Sequence, residues 1–543
     1  MAISQSVQAP EWINSDSTVT GGLDLLGLRL PVQTIGGVLL DGVTTVTPSV
    51  RYLSLRSWLI HRYGQSGRAD SWQSFTKFAA RVESVLVLAN LVEDRKTSGL
   101  IGSDKARERI DQGGATFQIS SLVQSPASTI YTGPSDQLGI SKSRENAVPA
   151  LVKERGLPLA QAVDQRLSPL PVIERLMIED DLDAVSIDDL RELGRQVKID
   201  QIPDDERELL LAAIMPSAPR TMELNRIRTY AALLVLTSQQ NAVPSEAGFF
   251  DMACSPGRFG DPLLDQVADG WATYCMRDAI AVTQEGVLAA VMAEIQNSPD
   301  KGLHGVDRTF VIEALMGRVE EHNSALQRLN LLDSEKSVAD LTFRELEDSL
   351  RSRLCIDHAK TGFLRWSDSL TEPVLYRLTL NPPPDSRAGV LSLAVVAWVM
   401  AGLRVGDAVR EDNQAFRLLS HQGRRRMGMR EAVLPGLERF RRENRPLREV
   451  AADMALGTVQ QHLQIAWSRL QVDLTRDVAL LTAEGSKWFS RGKGFDAGRT
   501  ASRIQQAIGW LQQLRLIDEK GITADGEIVL RQARTVLAKA YES

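Results

Sequence analysis

Cysteine is scarce. Three residues (Cys254, Cys275 and Cys355) in 543, far apart, exclude a disulfide framework as the basis of the fold. Aromatic side chains make up only 5% of the chain, which suits aliphatic helix packing better than a β-sandwich. The opening MAISQSVQAPEWINSDS has neither a basic segment nor an apolar run behind it, so no secretion signal is expected. No apolar stretch reaches the roughly 20 residues of a membrane span. The longest, AGVLSLAVVAWVMAGL at 388–403, is 16 residues and reads as a helix buried on all sides. These absences together lead to the expectation of a reduced, cytoplasmic protein that makes no use of a membrane.

Catalytic signatures are equally thin. A Walker A loop, a GxGxxG after a strand, a GxSxG elbow and an HExxH helix are all missing. Cys355 and His358 form a CxxH half-site, but Cys254 and Cys275 stand alone in sequence, and structural zinc favours closely spaced ligand pairs. Neither a cofactor nor a metal is expected. Arg56/His61 and Arg353/His358 both fit Arg-x4-His, a spacing similar to that of all-helical HEPN-type ribonucleases, where histidine does acid/base work. Residues five apart on one helix point about 140° away from each other, so convergence needs a dimer or a bent helix. A metal-independent HEPN-like ribonuclease is therefore an alternative, and the chain reads first as a non-enzyme.

What is present is helix after helix. A chain of 543 residues exceeds what one core supports, and three or four domains are expected. Residues 1–20 are polar and read as a flexible terminus; 21–148 reads as a helical domain with a loop-rich insert near 113–148. Within it Thr47-Pro48 has the form of a helix start. Tyr52, Leu55, Leu59 and Tyr63, with Trp58, then recur at helical spacing, and a second helix is expected over 72–94. Residues 149–330 read as a central helical region, 331–448 as a further one, and 449–543 as a winged-helix-like C-terminal region, single or tandem.

Charge is unevenly spread behind a net of −6. Between 169 and 208 there are 13 acidic residues against 5 basic ones, a solvated face or a docking surface for a basic partner protein. Residues 417–448 hold ten arginines against three glutamates. Arg424, Arg425, Arg426, Arg430, Arg441, Arg442, Arg445 and Arg448 form that dense segment, and Lys487, Arg491, Lys493, Arg499 and Arg503 extend it. Arginine's planar fork suits phosphates, and clustered cations make binding salt-dependent. The competing reading is that the arginines pair with carboxylates of their own chain.

The stretch IGWLQQLRLIDEKGITADGEIVL, 508–530, closes a module that resembles the winged-helix superfamily over about 45 residues. Ile504, Ala507, Ile508, Leu511 and Leu514 make one apolar stripe, while Gln505, Gln506, Gln512 and Gln513 carry amides. A minimal hairpin with Gly521 at its turn is expected next. A second copy is suggested upstream, where Ile465-Ala466-Trp467 precedes Thr482-Ala483-Glu484-Gly485. The segment 448–470 mimics a regulator helix-turn-helix, but Ala452 to Val459 spans only seven residues and leaves no room for the turn. One continuous helix is expected there.

At the N-terminus Gly42, Thr44, Thr47, Arg51, Tyr52, Trp58, Arg81, Glu83 and Leu100-Ile101-Gly102-Ser103 form a pattern similar to the opening of a group of uncharacterised bacterial proteins of phage-defence islands. The resemblance covers about 85 of 543 residues, and Ser49-Val50 stands where such openings often carry another basic residue. It implies a defence context and no catalytic residues. The expectation is a mainly α, multidomain, non-catalytic subunit that binds nucleic acid, DNA ahead of RNA, and a protein partner. A scaffold with no nucleic-acid binding is the third class.

Overall fold

The structure is a computed structural model that describes residues 24–120, 122–179, 182–255, 259–298, 304–321, 341–353, 376, 379–380, 390–410, 414–420, 428–472, 478–491, 495 and 497–542. The described chain is mainly helical, with nine short strands in four small antiparallel sheets. Residues 1–20 lie outside the described residues.

The chain forms two compact units, each drawn from three stretches of sequence: 1–36, 250–260 and 265–501 in one, 37–249, 261–264 and 502–543 in the other. The region 449–543 is thus divided between them at about residue 501.

In the second unit the Tyr52–Gln65 helix is buried on nearly every side, with Trp58, Leu59 and Tyr63 at 2% exposure or less. Residues that large and apolar leave only the last turn, with Gly64 and Gln65 exposed, in contact with water, so most of this helix sits inside the unit. It starts later than Thr47-Pro48 suggests. The Thr47 hydroxyl instead donates to Thr44 O (2.8 Å) and accepts from Thr44 N–H (3.0 Å), closing a turn. Threonine's short hydroxyl competes for nearby backbone in this way, at the expense of capping a helix. The Trp72–Glu93 helix packs beside it and against Ile187–Val197.

Four of the thirteen acidic residues of the 169–208 segment are paired inside this unit with arginines outside their own helix. Glu206 is fully buried and receives Arg51 (Nη2, 2.9 Å), Ser54 Oγ (2.6 Å) and Arg166. Asp205 also pairs with Arg166, Asp189 with Arg175, and Asp204 with Arg515. Asp188 remains largely in solvent, 88% exposed.

The C-terminal stretch folds as helix, hairpin, helix. Ile504, Ala507, Ile508, Trp510, Leu511 and Leu514 are all at most 1% exposed, and the Ile517–Asp518 and Gly521–Ile522 strands pair antiparallel. Gly521 takes φ +119°, a backbone that side-chain-bearing residues resist. Thr523 Oγ1 then accepts Gly526 N–H (3.1 Å), capping the Ala524–Glu542 helix, which packs on Leu224–Gln240.

The first unit is organised by the Val390–Arg410 helix. Ala394–Ala401 are buried throughout, against Val433, Leu437, Phe440 and Val459 among others. By length and composition it is the one helix among the described residues able to cross a membrane, yet 83% of its most apolar window is buried within the protein. The Leu447–Val472 helix runs unbroken past Gly457 and packs on Arg308–Glu321. His462 on it holds Leu25 O with Nδ1 (3.1 Å) and meets Leu480 N–H with Nε2 (3.0 Å). Beyond this helix, Leu481–Glu484 and Lys487–Ser490 form a hairpin whose second strand also pairs with Val306–Asp307. The resulting three-stranded sheet has the Lys487–Ser490 strand in the middle.

Candidate nucleic-acid interface

Three of the arginines picked out by charge density, Arg441, Arg445 and Arg499, are matched to carboxylates. Arg441 reaches Glu347 with Nε (2.7 Å) and Nη2, and Arg351 joins the same carboxylate (3.1 Å). Burial pushes the Glu347 carboxyl up, but the hydrogen bonds and charge of Arg441 and Arg351 outweigh it and hold the group below its ordinary value. Arg445 is surrounded by Asp453, Glu443 (2.9 Å) and Glu449 (3.8 Å), and its hydrogen bond to Asp453 raises its pKa further. Arg499 Nε donates to the buried Asp278 (3.0 Å), and Arg503 Nη1 donates to Val43 O (2.7 Å). Lys487 Nζ, at the hairpin, donates to His304 O (2.8 Å).

Arg430 and Arg442, both on the Met429–Glu443 helix, are exposed and have no ion-pair partner among the described residues. Arg424, Arg425, Arg426 and Lys493 lie outside the described residues.

A different surface comes forward in the same unit. On the Leu447–Val472 helix the exposed positions after Gly457 are Gln460, Gln464, Trp467, Gln471 and Val472. Steps of four, three and four residues set Gln460, Gln464, Trp467 and Gln471 in one narrow band, about 17 Å long at 1.5 Å per residue. Trp467 is 62% exposed, unusual for the largest apolar side chain. The opposite face (Val450, Ala455, Val459, His462, Ile465, Ala466) is buried. In the hairpin of the same unit the turn residues Gly485 and Ser486 and the strand residues Glu484 and Lys487 beside them are exposed.

Sequence reading missed this band because it weighed charge, and the band carries none. The detectable signal was glutamine recurring at 460, 464 and 471, in register with a tryptophan. In sequence Ile465-Ala466-Trp467 is similar to Ile508-Gly509-Trp510, the likeness that suggests a tandem copy. The two occupy opposite environments: Trp510 is fully buried, with Nε1 donating to Thr47 O (2.9 Å).

On the C-terminal helix Ile504–Gln513, Gln513 is engaged at both ends of its amide, with Val50 N–H (2.9 Å) and Pro48 O (3.0 Å). Gln505 and Gln512 are exposed, and Gln506 is half-buried. The helix presents its stripe, its tryptophan and Arg503 to its own unit.

Of the Arg-x4-His pairs, Arg56 is 1% exposed and donates to Ser128 O (2.8 Å), Ser141 Oγ (2.9 Å) and Thr132 Oγ1 (3.4 Å). Burial lowers its pKa to about 10. His61 on the same helix contacts Gln65 (3.0 Å). A guanidinium enclosed in this way offers nothing to an RNA phosphate. Cys254 and Cys275 are buried free thiols; the Arg353 side chain, Cys355 and His358 lie outside the described residues.

Comparison of the chain with models of known families, with curated proteins and with solved structures finds no match.

Proposed function

We propose that this chain is a non-catalytic, DNA-binding subunit of a bacterial anti-phage defence assembly, reading DNA with the exposed band of its Leu447–Val472 helix. That band carries the reading. Glutamine amides pair bidentately with adenine edges in the major groove, whose width admits one helix, and a projecting tryptophan supplies apolar or stacking contact. The strand order of the sheet in this unit, with the hairpin's second strand between its first and the strand that leads into Arg308–Glu321, is compatible with a winged helix. It supports assigning the 481–490 hairpin as the wing, where Lys487 and the exposed Arg491 flank the backbone. Arg430 and Arg442 are further candidates for phosphate contact. The C-terminal helix–hairpin–helix has, on this reading, a packing role. The defence context rests on the N-terminal resemblance, and a basic partner protein would meet carboxylates such as Asp188 that stay in solvent.

The test is fluorescence anisotropy of labelled duplex DNA and single-stranded RNA against the full chain, titrated across salt. Duplex DNA is expected to bind more tightly than RNA, with a salt slope of only a few released ions because Arg441, Arg445 and Arg499 are already paired. Gln464→Ala with Trp467→Ala is expected to weaken binding by about 10- to 100-fold with the thermal melt unchanged. Unaltered binding by the double variant, or no DNA binding at low salt, refutes the proposal. The carboxylate partners of Arg441, Arg445 and Arg499 favour a second reading, a scaffold that binds only protein; under it neither nucleic acid binds at any salt.

A further inference from the structure

The exposed band of the Leu447–Val472 helix has a chemistry narrower than DNA binding in general. At about 100° per residue, Gln460, Gln464, Trp467 and Gln471 fall within about 60° of arc. The three glutamines are exposed, and their side-chain amides make no hydrogen bond among the described residues. Gln461, one position round the helix, is half-buried instead, with Nε2 donating to Leu26 O (2.6 Å). An amide donor and an amide acceptor therefore stay open together at three places on one face.

What the band lacks narrows its chemistry further. Between Gly457 and Val472 the one residue of fixed charge is Arg469. It is half-buried and lies about 180° around the helix from Gln460. Guanine is read by arginine or lysine at O6 and N7, cytosine by a carboxylate at N4, and adenine by an amide at N6 and N7. Of these partners the band holds only the amide. Trp467 adds an apolar surface for the thymine methyl.

We propose that the band selects duplex DNA whose adenines are unmodified and rejects N6-methyladenine, an inference that rests on the DNA-reading role proposed above for the same helix. A glutamine that meets adenine in the major groove accepts N6–H with Oε1 and donates to N7 with Nε2. In a paired N6-methyladenine the one remaining N6 hydrogen faces thymine, so the methyl stands on the groove side, where Oε1 needs a donor. The amide oxygen is then desolvated without a partner, and no charge in the band offsets that loss. Successive glutamines lie about 6 and 10 Å apart along the helix, against about 3.4 Å per base pair, so more than one amide can meet a modified position.

Fluorescence anisotropy of the full chain on duplexes of one alternating A·T sequence tests this. The adenines are unmodified, N6-methylated, or replaced by 7-deazaadenine, which lacks N7; an alternating G·C duplex completes the set. The unmodified A·T duplex is expected to bind at least about tenfold more tightly than each of the others. In the triple variant Gln460→Ala, Gln464→Ala, Gln471→Ala, changed only at exposed positions, these differences are expected to vanish with the melt unchanged. Equal affinity for the unmodified and N6-methylated duplexes, or for the unmodified and 7-deaza duplexes, overturns this inference and leaves the DNA-reading role standing. A methyl effect undiminished in the triple variant also overturns it, because the discrimination then lies elsewhere. Binding to none of the four duplexes refutes the DNA-reading role, and the inference falls with it.

Discussion

Removal of the Glu206 carboxylate separates the acidic residues that hold the fold from those available to a partner. Glu206 is fully buried and compensates Arg51, itself 2% exposed. Glu206→Leu leaves the Arg51 guanidinium inside the protein with only the carbonyls of Lys198, Gln201 (3.0 Å) and Gln196 (2.9 Å), and it leaves Ser54 Oγ with Arg51 O (2.9 Å) as its acceptor. Breaking a buried ion pair from one side costs about 3–5 kcal/mol. The carbonyls that remain, and the freedom of Arg166 to turn toward Asp205 and solvent, move the expectation to the lower half of that range. At an m-value of about 3 kcal/mol/M, the urea midpoint of this unit falls by roughly 1 M. Glu206→Gln keeps the shape and part of the hydrogen bonding, and should cost about 1–3 kcal/mol. Because two units need not unfold together, the readout is hydrogen exchange of peptides covering 51–65 and 196–210 across urea, with intact-chain melting as a control. Asp188→Ala, in solvent, should leave both unchanged. If Glu206→Leu shifts neither exchange nor midpoint, the carboxylate is not the internal anchor derived for it.

Other expectations follow from single sites. Glu83 is fully buried, and burial raises its pKa to about 7 against the hydrogen bonds it receives from Ser128 and Ala127 and the charge of Arg56. A folded value above the unfolded one means its contribution is complete below about pH 4.5 and is lost as pH rises through 7. The difference amounts to about 3 kcal/mol. Glu83→Gln should flatten the fall in urea stability between pH 5 and 9, and an equal fall in the variant would remove Glu83 as its cause. His462 has the opposite sense of dependence: burial lowers its pKa against the Leu25 carbonyl, so stability is present at neutral pH and lost on acidification below the ordinary histidine range. A Cβ at Gly526 would stand 2.1 Å from Leu516 O, so Gly526→Ala must push the Ala524–Glu542 helix off the hairpin. About 1–3 kcal/mol of destabilisation is expected, seen as faster hydrogen exchange in 524–542; unchanged exchange would mean that the helix adjusts freely.

Local chemistry made much of the helical architecture readable. The stripe Ile504, Ala507, Ile508, Leu511 and Leu514 repeats every three to four residues, and all five positions are buried. Tyr52, Leu55, Trp58, Leu59 and Tyr63 behave likewise, and the described part of the apolar run at 388–403, from Val390 on, lies inside one core helix. Gly521 stands at a hairpin turn that needs positive φ. Each is a statement about neighbours in sequence, where helical and turn geometry relates residue identity to position within a few residues.

Partnership over long distances was decided by the tertiary structure alone. Arg441 finds Glu347, 94 residues earlier; Arg499 finds Asp278, 221 earlier; Glu206 finds Arg51, 155 earlier. Composition counts such charges as free surface, because a charge run looks the same whether or not distant carboxylates will neutralise it. The outward face of Leu447–Val472 has the same origin. That helix is apolar on several sides, so periodicity does not say which side stays wet. Trp467 ends in solvent while Trp510 is sealed, though both follow an isoleucine and a small residue, because packing around each helix, rather than the residue itself, determines what remains exposed.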